Sequence, residues 1–326
     1  MNTASNSPVS AALNAKVHKH TPLRTGNGTF GRHGSFPLRF GWIPKGLEEL
    51  RENPTVFKHE DATVCFGVGK NMVTSMQYWL EATRLVNPSN SDQGLEWSSI
   101  AEIVFNEAAD PYLEDDGTIW LLHWLLASNP RSATAIYWFF NHFHKPTFTS
   151  DEVATGLRDF VHREISSKTS QNTLKRDSAL VLRMYAHSHK NDGLNLEESL
   201  DSPLATLRLL QRLDVRLWRS DVTKGPEIPL FVLAFAIAEV FQSTDRQQLP
   251  IHDLMYSNSD HCAPGAVFRM TEEGLVNQLE AVCRRHHQQL ALDQTAGIFQ
   301  LYKRDTLDPL MLLRDHYEFN AERAEA

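Results

Sequence analysis

Apolar positions recur at helical spacing along most of the chain. Behind the turn Gly67-Val-Gly69, the residues Met72, Val73, Met76, Trp79, Leu80 and Val86 fall at three-, four- and seven-residue intervals. That spacing predicts an amphipathic helix opened by the glycine turn. A first helix begins near Leu47. Ser99 with Glu102, and Thr149 with Glu152, have capping-box spacing, and the second opens a helix reaching about Ile165. Thr118 is placed to cap Ile119–Ala127, while Ala133–Phe143, Arg176–Tyr185 and Pro203–Gln211 read as further helices. Strand signals in the first half are sparse.

The most apolar run, Pro229–Phe241, is thirteen residues long and contains Glu239, whereas a membrane span needs about 20. It therefore predicts a buried helix. The last third has another rhythm: a helix over Pro250–Tyr256, a turn over Asp260–Gly265, a helix over Glu272–His287 and a hairpin over Leu292–Tyr302 about Gly297. Helix, turn, helix, hairpin is the order of a winged helix with Glu272–His287 in the recognition position. Ordinary α-rich domains contain the same succession. Phe148–Ile165 is compatible with an earlier unit of this kind, although no internal repeat stands out.

The expected fold is mainly α with small β-hairpins, built from winged-helix-like units plus a Gly-rich N-terminal arm. Expected divisions are a disordered tail over 1–24, a motif-bearing domain over 25–148, a helical domain over 149–245 and a winged-helix-like domain over 246–326. Length and composition suit this, since 326 residues at 41% hydrophobic bury substantial cores. Cys65, Cys262 and Cys283 are too few and scattered for a disulfide framework, and no CxxC pair offers a zinc site. With no apolar signal segment behind the start, the expectation is a cytoplasmic protein.

Charge changes the picture. The net charge is −8, but residues 1–47 hold Lys16, Lys19, Arg24, Arg32, Arg39 and Lys45 and no acid. That segment is +6 and the remainder −14. Six glycines between Gly26 and Gly46 alternate there with Phe30, Phe36, Phe40 and Trp42. Arginine forks match phosphate oxygens, glycines admit backbone amides to them, and aromatics stack on unpaired bases. Arg24, Arg32, His33, Arg39 and Lys45 are accordingly DNA-binding candidates; the alternative is a compact turn unit with solvated arginines. Lys70 and Asn71 join them, because Gly67-Val-Gly-Lys-Asn71 is no Walker A loop yet presents a cation at a helix start.

Asp110-Pro-Tyr-Leu-Glu-Asp-Asp-Gly117 is the densest acidic loop. Phosphodiester cleavage commonly uses carboxylates to hold a divalent metal, so Asp110 and Glu114 are metal-ligand and catalytic candidates, with His123 as a base or ligand. An acidic loop capping the next helix is the simpler alternative. The pairs His18/His20, His142/His144 and His187/His189 would share a face only on a strand, and each lacks a third ligand. Tyr137–Phe140 with Phe143 reads as core, and Cys65 as either a reactive or a buried thiol.

Phe30-Gly-Arg-His-Gly-Ser-Phe-Pro-Leu-Arg-Phe-Gly-Trp-Ile-Pro-Lys-Gly46, Phe66-Gly-Val-Gly-Lys-Asn-Met-Val73, Asp110-Pro-Tyr-Leu-Glu114 and Gly117-Thr-Ile-Trp-Leu-Leu-His-Trp124 together resemble the motif series of the SspB-like bacterial family, long catalogued as a domain of unknown function. Looser likeness extends to Lys175-Arg-Asp177, Arg183-Met-Tyr185, Pro264-Gly265 with Phe268, and Thr295-Ala-Gly297. The resemblance implies DNA nicking within single-strand DNA phosphorothioation, an antiphage defence. Implied partners are a cysteine desulfurase, an ATP pyrophosphatase-like enzyme and an ATPase. It carries no catalytic positions over, and no PD-(D/E)xK or HNH pattern is present.

The expectation is thus a DNA-binding, metal-dependent nicking endonuclease of a phosphorothioation system, using Mg or Mn. The alternatives are a non-catalytic DNA-binding adaptor that recruits the sulfur-transfer enzymes, and a winged-helix transcriptional regulator.

Overall fold

A computed structural model describes residues 28–89, 94–165, 167–187, 202–223, 228–257, 261–295 and 297–325. The expected tail, Arg24, His18/His20 and His189 lie outside the described residues.

Helix α1 (Trp42–Glu52) starts five residues before Leu47, because Trp42, Ile43, Gly46, Leu47 and Leu50 already share the buried face. A short α2 (Ala62–Cys65) leads to the glycine turn, and α3 (Lys70–Ala82) follows where expected but ends before Val86, which enters a strand instead. Strands β1 (Val86–Pro88) and β2 (Leu95–Trp97) pair antiparallel. Helix α4 (Ser99–Val104) is capped by Ser98, one residue before the expected cap, whose side chain accepts from the Ala101 N–H. Helix α5 (Asp116–Ala127) is buried from Gly117 to its end and runs through the core. Its cap is Asp115 rather than Thr118, since Thr118 is enclosed and hydrogen-bonds the Tyr317 hydroxyl at 2.7 Å. Helix α6 (Thr134–His142) carries the aromatic run inward, as expected.

Beyond α6 the order strand, helices, hairpin occurs twice, with an added short strand in the first unit and an added short helix in the second. Strand β3 (Thr147–Thr149) runs directly into α7 (Ser150–Phe160), then a π turn (Val161–Ile165), α8 (Gln171–Tyr185), a short β4 (Ala186–His187) and the hairpin β5 (Leu210–Arg212) and β6 (Leu217–Arg219). The expected capping box of Thr149 and Glu152 is present. After α9 (Leu230–Thr244), strand β7 (Gln248–Pro250) runs directly into α10 (Ile251–Met255). Helix α11 (Pro264–Val267), helix α12 (Glu272–Arg285) and the hairpin β8 (Leu290–Thr295) and β9 (Ile298–Lys303) follow, and α13 (Pro309–Glu325) ends the described chain.

Strand orders correspond too. β3 pairs antiparallel with β6 and β6 with β5, while β7 pairs antiparallel with β9 and β9 with β8. Phe148 opposite Trp218 matches Leu249 opposite Leu301. Pro203–Gln211 is not one helix: a 3-10 turn (Pro203–Leu207) ends at Arg208, whose φ of 53° is left-handed, and Leu210 enters the sheet. Strands of two or three residues carry too little alternation for periodicity to reveal them.

One connected apolar core runs from Leu38 to Tyr317. Glu239, buried within α9, receives a bidentate pair from Arg84 at 2.9 and 3.0 Å and the Trp124 indole N–H at 2.7 Å. Among the described residues no helix is long and apolar enough to cross a membrane.

Candidate nucleic-acid interface

The glycine-rich segment is a fixed loop clamped between α3 and α8. Gly31 and Gly34, with φ of 72° and 55°, supply the left-handed turns that fold it back. The Gly31 N–H donates to both oxygens of Asp177 on α8, at 3.2 and 2.9 Å. The Ser35 N–H donates to His33 Nδ1 at 3.0 Å, so the ring proton sits on Nε2 and is donated to Asp177 Oδ1 at 2.9 Å. Ser75 on α3 donates to the His33 carbonyl at 2.7 Å, the Trp79 indole to the Phe36 carbonyl at 3.1 Å, and Arg183 on α8 to the Ser35 carbonyl. Tyr78, edge-on to the His33 ring, has its phenol held protonated, first by burial and then by the Asp177 charge.

This architecture sorts the candidates. His33 is 4% exposed with both ring nitrogens engaged, so it positions the loop and offers no contact to a ligand. Arg32, its neighbour, is exposed. Arg39 is half-buried with its guanidinium 5.4 Å from the Trp42 ring. The Lys45 ammonium lies 3.9 Å from where a Cβ on Gly67 would stand, which brings it to the glycine turn. Lys70 and Asn71 are exposed on the first turn of α3, whose cap, Gly69, supplies no side-chain acceptor. Gly34 packs near the Asn71 carbonyl, so loop and helix start are contiguous.

Helix α8 adds cations that the candidate set left out. Lys175, Arg176 and Arg183 are exposed, and its single acid, Asp177, is buried under the loop. Arg176 and Arg183, seven apart, share a face; that spacing is the signal available in the sequence. The tip of the β5–β6 hairpin exposes Arg216 beside Val215, which is 72% accessible. On α12, by contrast, the exposed residues before the last turn are Glu272, Glu273, Asn277 and Glu280, with Arg284 and Arg285 only at the end.

The acidic loop is built as a helix entry. Asp110 is 5% exposed and its two oxygens accept the backbone N–H groups of Glu114 and Asp115, at 2.7 and 3.1 Å. Asp115 caps α5 and receives His316 Nε2 at 2.9 Å, a hydrogen bond that holds its carboxyl below the usual range. His123 is fully buried: Nε2 donates to the Val267 carbonyl at 3.0 Å and Nδ1 accepts the Tyr185 hydroxyl at 2.9 Å. Burial lowers it to about 3. Asp110, Glu114 and His123 are therefore not presented as one ligand set, since both His123 nitrogens are engaged in the core and Asp110 is buried with each oxygen accepting a backbone N–H. Among the described residues no three His, Cys, Asp or Glu side chains gather around a common point. Cys65 is exposed and Cys262 buried.

The sequence pattern of the family described as a protein of unknown function, DUF4007, matches residues 30–317. The chain belongs to that family. Two solved structures are similar over most of their length. One, an SspB crystal structure, shares 26% identity at a TM-score of 0.77, covering 91% of this chain and 89% of that one. A magnesium ion-bound SspB crystal structure shares 25% identity at a TM-score of 0.76 with the same coverage. No curated protein matches. The family match opens at Phe30, inside the clamped loop, and closes at Tyr317, which bonds Thr118 in the central helix.

Proposed function

We propose that this protein is a DNA-binding component of a bacterial DNA phosphorothioation system, and that it grips the sugar-phosphate backbone through the clamped loop and α8. Likeness to SspB over nine-tenths of the chain supports the system. The observation that carries the binding role is the face of α8, which exposes Lys175, Arg176 and Arg183 without an acid beside the Arg32 loop. Lys45, Lys70 and Asn71 extend that surface, and Arg39 stiffens its edge over Trp42.

In this reading the unit from β3 to β6 is a winged helix with α8 as recognition helix and the β5–β6 hairpin as wing, Arg216 at its tip. Expectation had placed Glu272–His287 in that role, but its exposed Glu272, Glu273 and Glu280 repel phosphates. That second unit suits protein contact better. An adaptor that brings DNA to the sulfur-transfer enzymes is the form of the function that the geometry supports best.

Fluorescence anisotropy with a labelled duplex across a salt series tests it. The chain should bind with a steep salt dependence, and the combined Arg32→Ala, Arg176→Ala, Arg183→Ala variant should lose most of the affinity and flatten the slope. A triple variant that binds like the parent overturns the assignment.

Nicking is the second reading, favoured by the magnesium ion named for one similar structure. Its test is relaxation of supercoiled plasmid with Mg or Mn against EDTA. Relaxation that persists in both Asp110→Ala and Glu114→Ala would remove those residues from the chemistry, and no relaxation in any metal would leave the adaptor.

A further inference from the structure

On another face, between the end of α6, the loop after it and the outer side of α7, lies an open cavity of about 1030 Å3. Its inner wall is aromatic. The Trp138 ring centroid is 5.4 Å from that of Phe143 and 6.4 Å from that of Phe160, and His142 stacks on Phe160 at 5.2 Å. Gly156 makes this wall possible: a Cβ there would stand 2.9 Å from the edge of the Trp138 indole.

The rim is acidic. Asp151, Glu152, Asp159 and Glu164 line it against Lys145 and Arg163, and with Arg158 paired to Asp159 the local excess is one negative charge. Lys145 pairs with Glu152 at 2.8 Å, Arg163 with Glu164 at 2.7 Å and Arg158 with Asp159 at 3.3 Å, while Asp151 has no ion-pair partner among the described residues. Burial keeps His142 and His144 uncharged at neutral pH, so neither offsets the acids. Arg163 and Glu164 reach the rim from the π turn, a widened backbone that recurs at functional sites.

We propose that this cavity is a docking site for an arginine side chain on a basic segment of a partner protein. Trp138, Phe143 and Phe160 are only 4, 7 and 4% exposed, so a guanidinium, flat and weakly hydrated, lies against the exposed edge of this wall while its fork engages a carboxylate. The same acid excess repels phosphate, so this face does not continue the basic surface of α8. A chain with a phosphate-binding face and a separate cation-binding cavity has the form an adaptor needs, although the cavity stands on its own geometry.

The test uses the full chain without nucleic acid, so its outcome is separate from that of the DNA reading. A blocked tri-arginine peptide is titrated by calorimetry into the parent and into the Asp151→Asn, Asp159→Asn variant, with thermal melts to confirm that the variant folds. Saturable one-to-one binding is expected, roughly tenfold weaker in the variant, with a blocked tri-lysine peptide roughly threefold weaker than tri-arginine on the parent. Absence of saturable binding or equal affinity in the variant overturns the proposal.

Discussion

His33 donates its Nε2 proton to Asp177 at 2.9 Å, tying a loop to a helix 144 positions further along the chain. Arg32 gains its place from that bond, because the residue after it is anchored while it is left facing solvent. Two residues read at first as one binding run thus have opposite duties, one inward and one outward.

Asp177→Ala should cost about 3 kcal/mol, because the Gly31 N–H and the His33 proton lose a buried acceptor. Urea unfolding measures the loss, and hydrogen exchange should speed up at Gly31 and Ser35. The sign of the DNA effect is the sharper test. Removing an acid would strengthen DNA binding by charge alone, so a weaker complex shows that loop order matters more.

Arg176→Ala and Arg183→Ala should each lower the salt-dependence slope of DNA binding by about 1, the share of a single phosphate contact. Arg284→Ala with Arg285→Ala on α12 should leave affinity within about twofold. The reverse pattern in anisotropy titrations would move the interface to the C-terminal unit.

Acid should destabilise the fold through its buried histidines. The folded pKa of His123 is lowered from 6.5 to about 3 by burial, and that of His142 to about 4 by burial and then by the His144 charge. Unfolded chains take up these protons below about 6.5 and the folded protein does not. The stabilisation is complete above that value and is lost as pH falls towards the folded values, at up to ~1.4 kcal/mol per pH unit for each histidine. Urea midpoints between pH 7 and 5 should show the slope, and His123→Gln should flatten it.

Glu239→Ala should cost about 3–5 kcal/mol by stranding the Arg84 guanidinium in a buried site. Replacing both, as Arg84→Met with Glu239→Leu, should recover most of the loss. Calorimetric melts of Glu239→Leu and of the double variant distinguish a stranded charge from a void, since Leu fills the space in both and a void alone would leave the two alike.

Helices were legible where their own residues sufficed. α3 and α7 follow from apolar spacing and from the Thr149–Glu152 box, and α9 from an apolar run too short to span a bilayer. The sheet β3-β6-β5-β4 was not legible, because each strand has two or three residues and its stability comes from partners up to about seventy positions away. Lys175, Arg176 and Arg183 stood in plain view as a motif, yet nothing local marked Asp177 as the acid that turns inward.

The amino-acid sequence alone determined the helical class, the separation of a +6 segment from a −14 remainder, and the family likeness carried by Phe30–Gly46. Each is a property of neighbouring residues or of sums over them. Tertiary structure decided which charges face outward, that the acidic loop is a helix entry, and that α8 rather than α12 carries the basic face. Those outcomes depend on which buried group a polar side chain meets across the fold, and spacing along the chain does not encode that meeting.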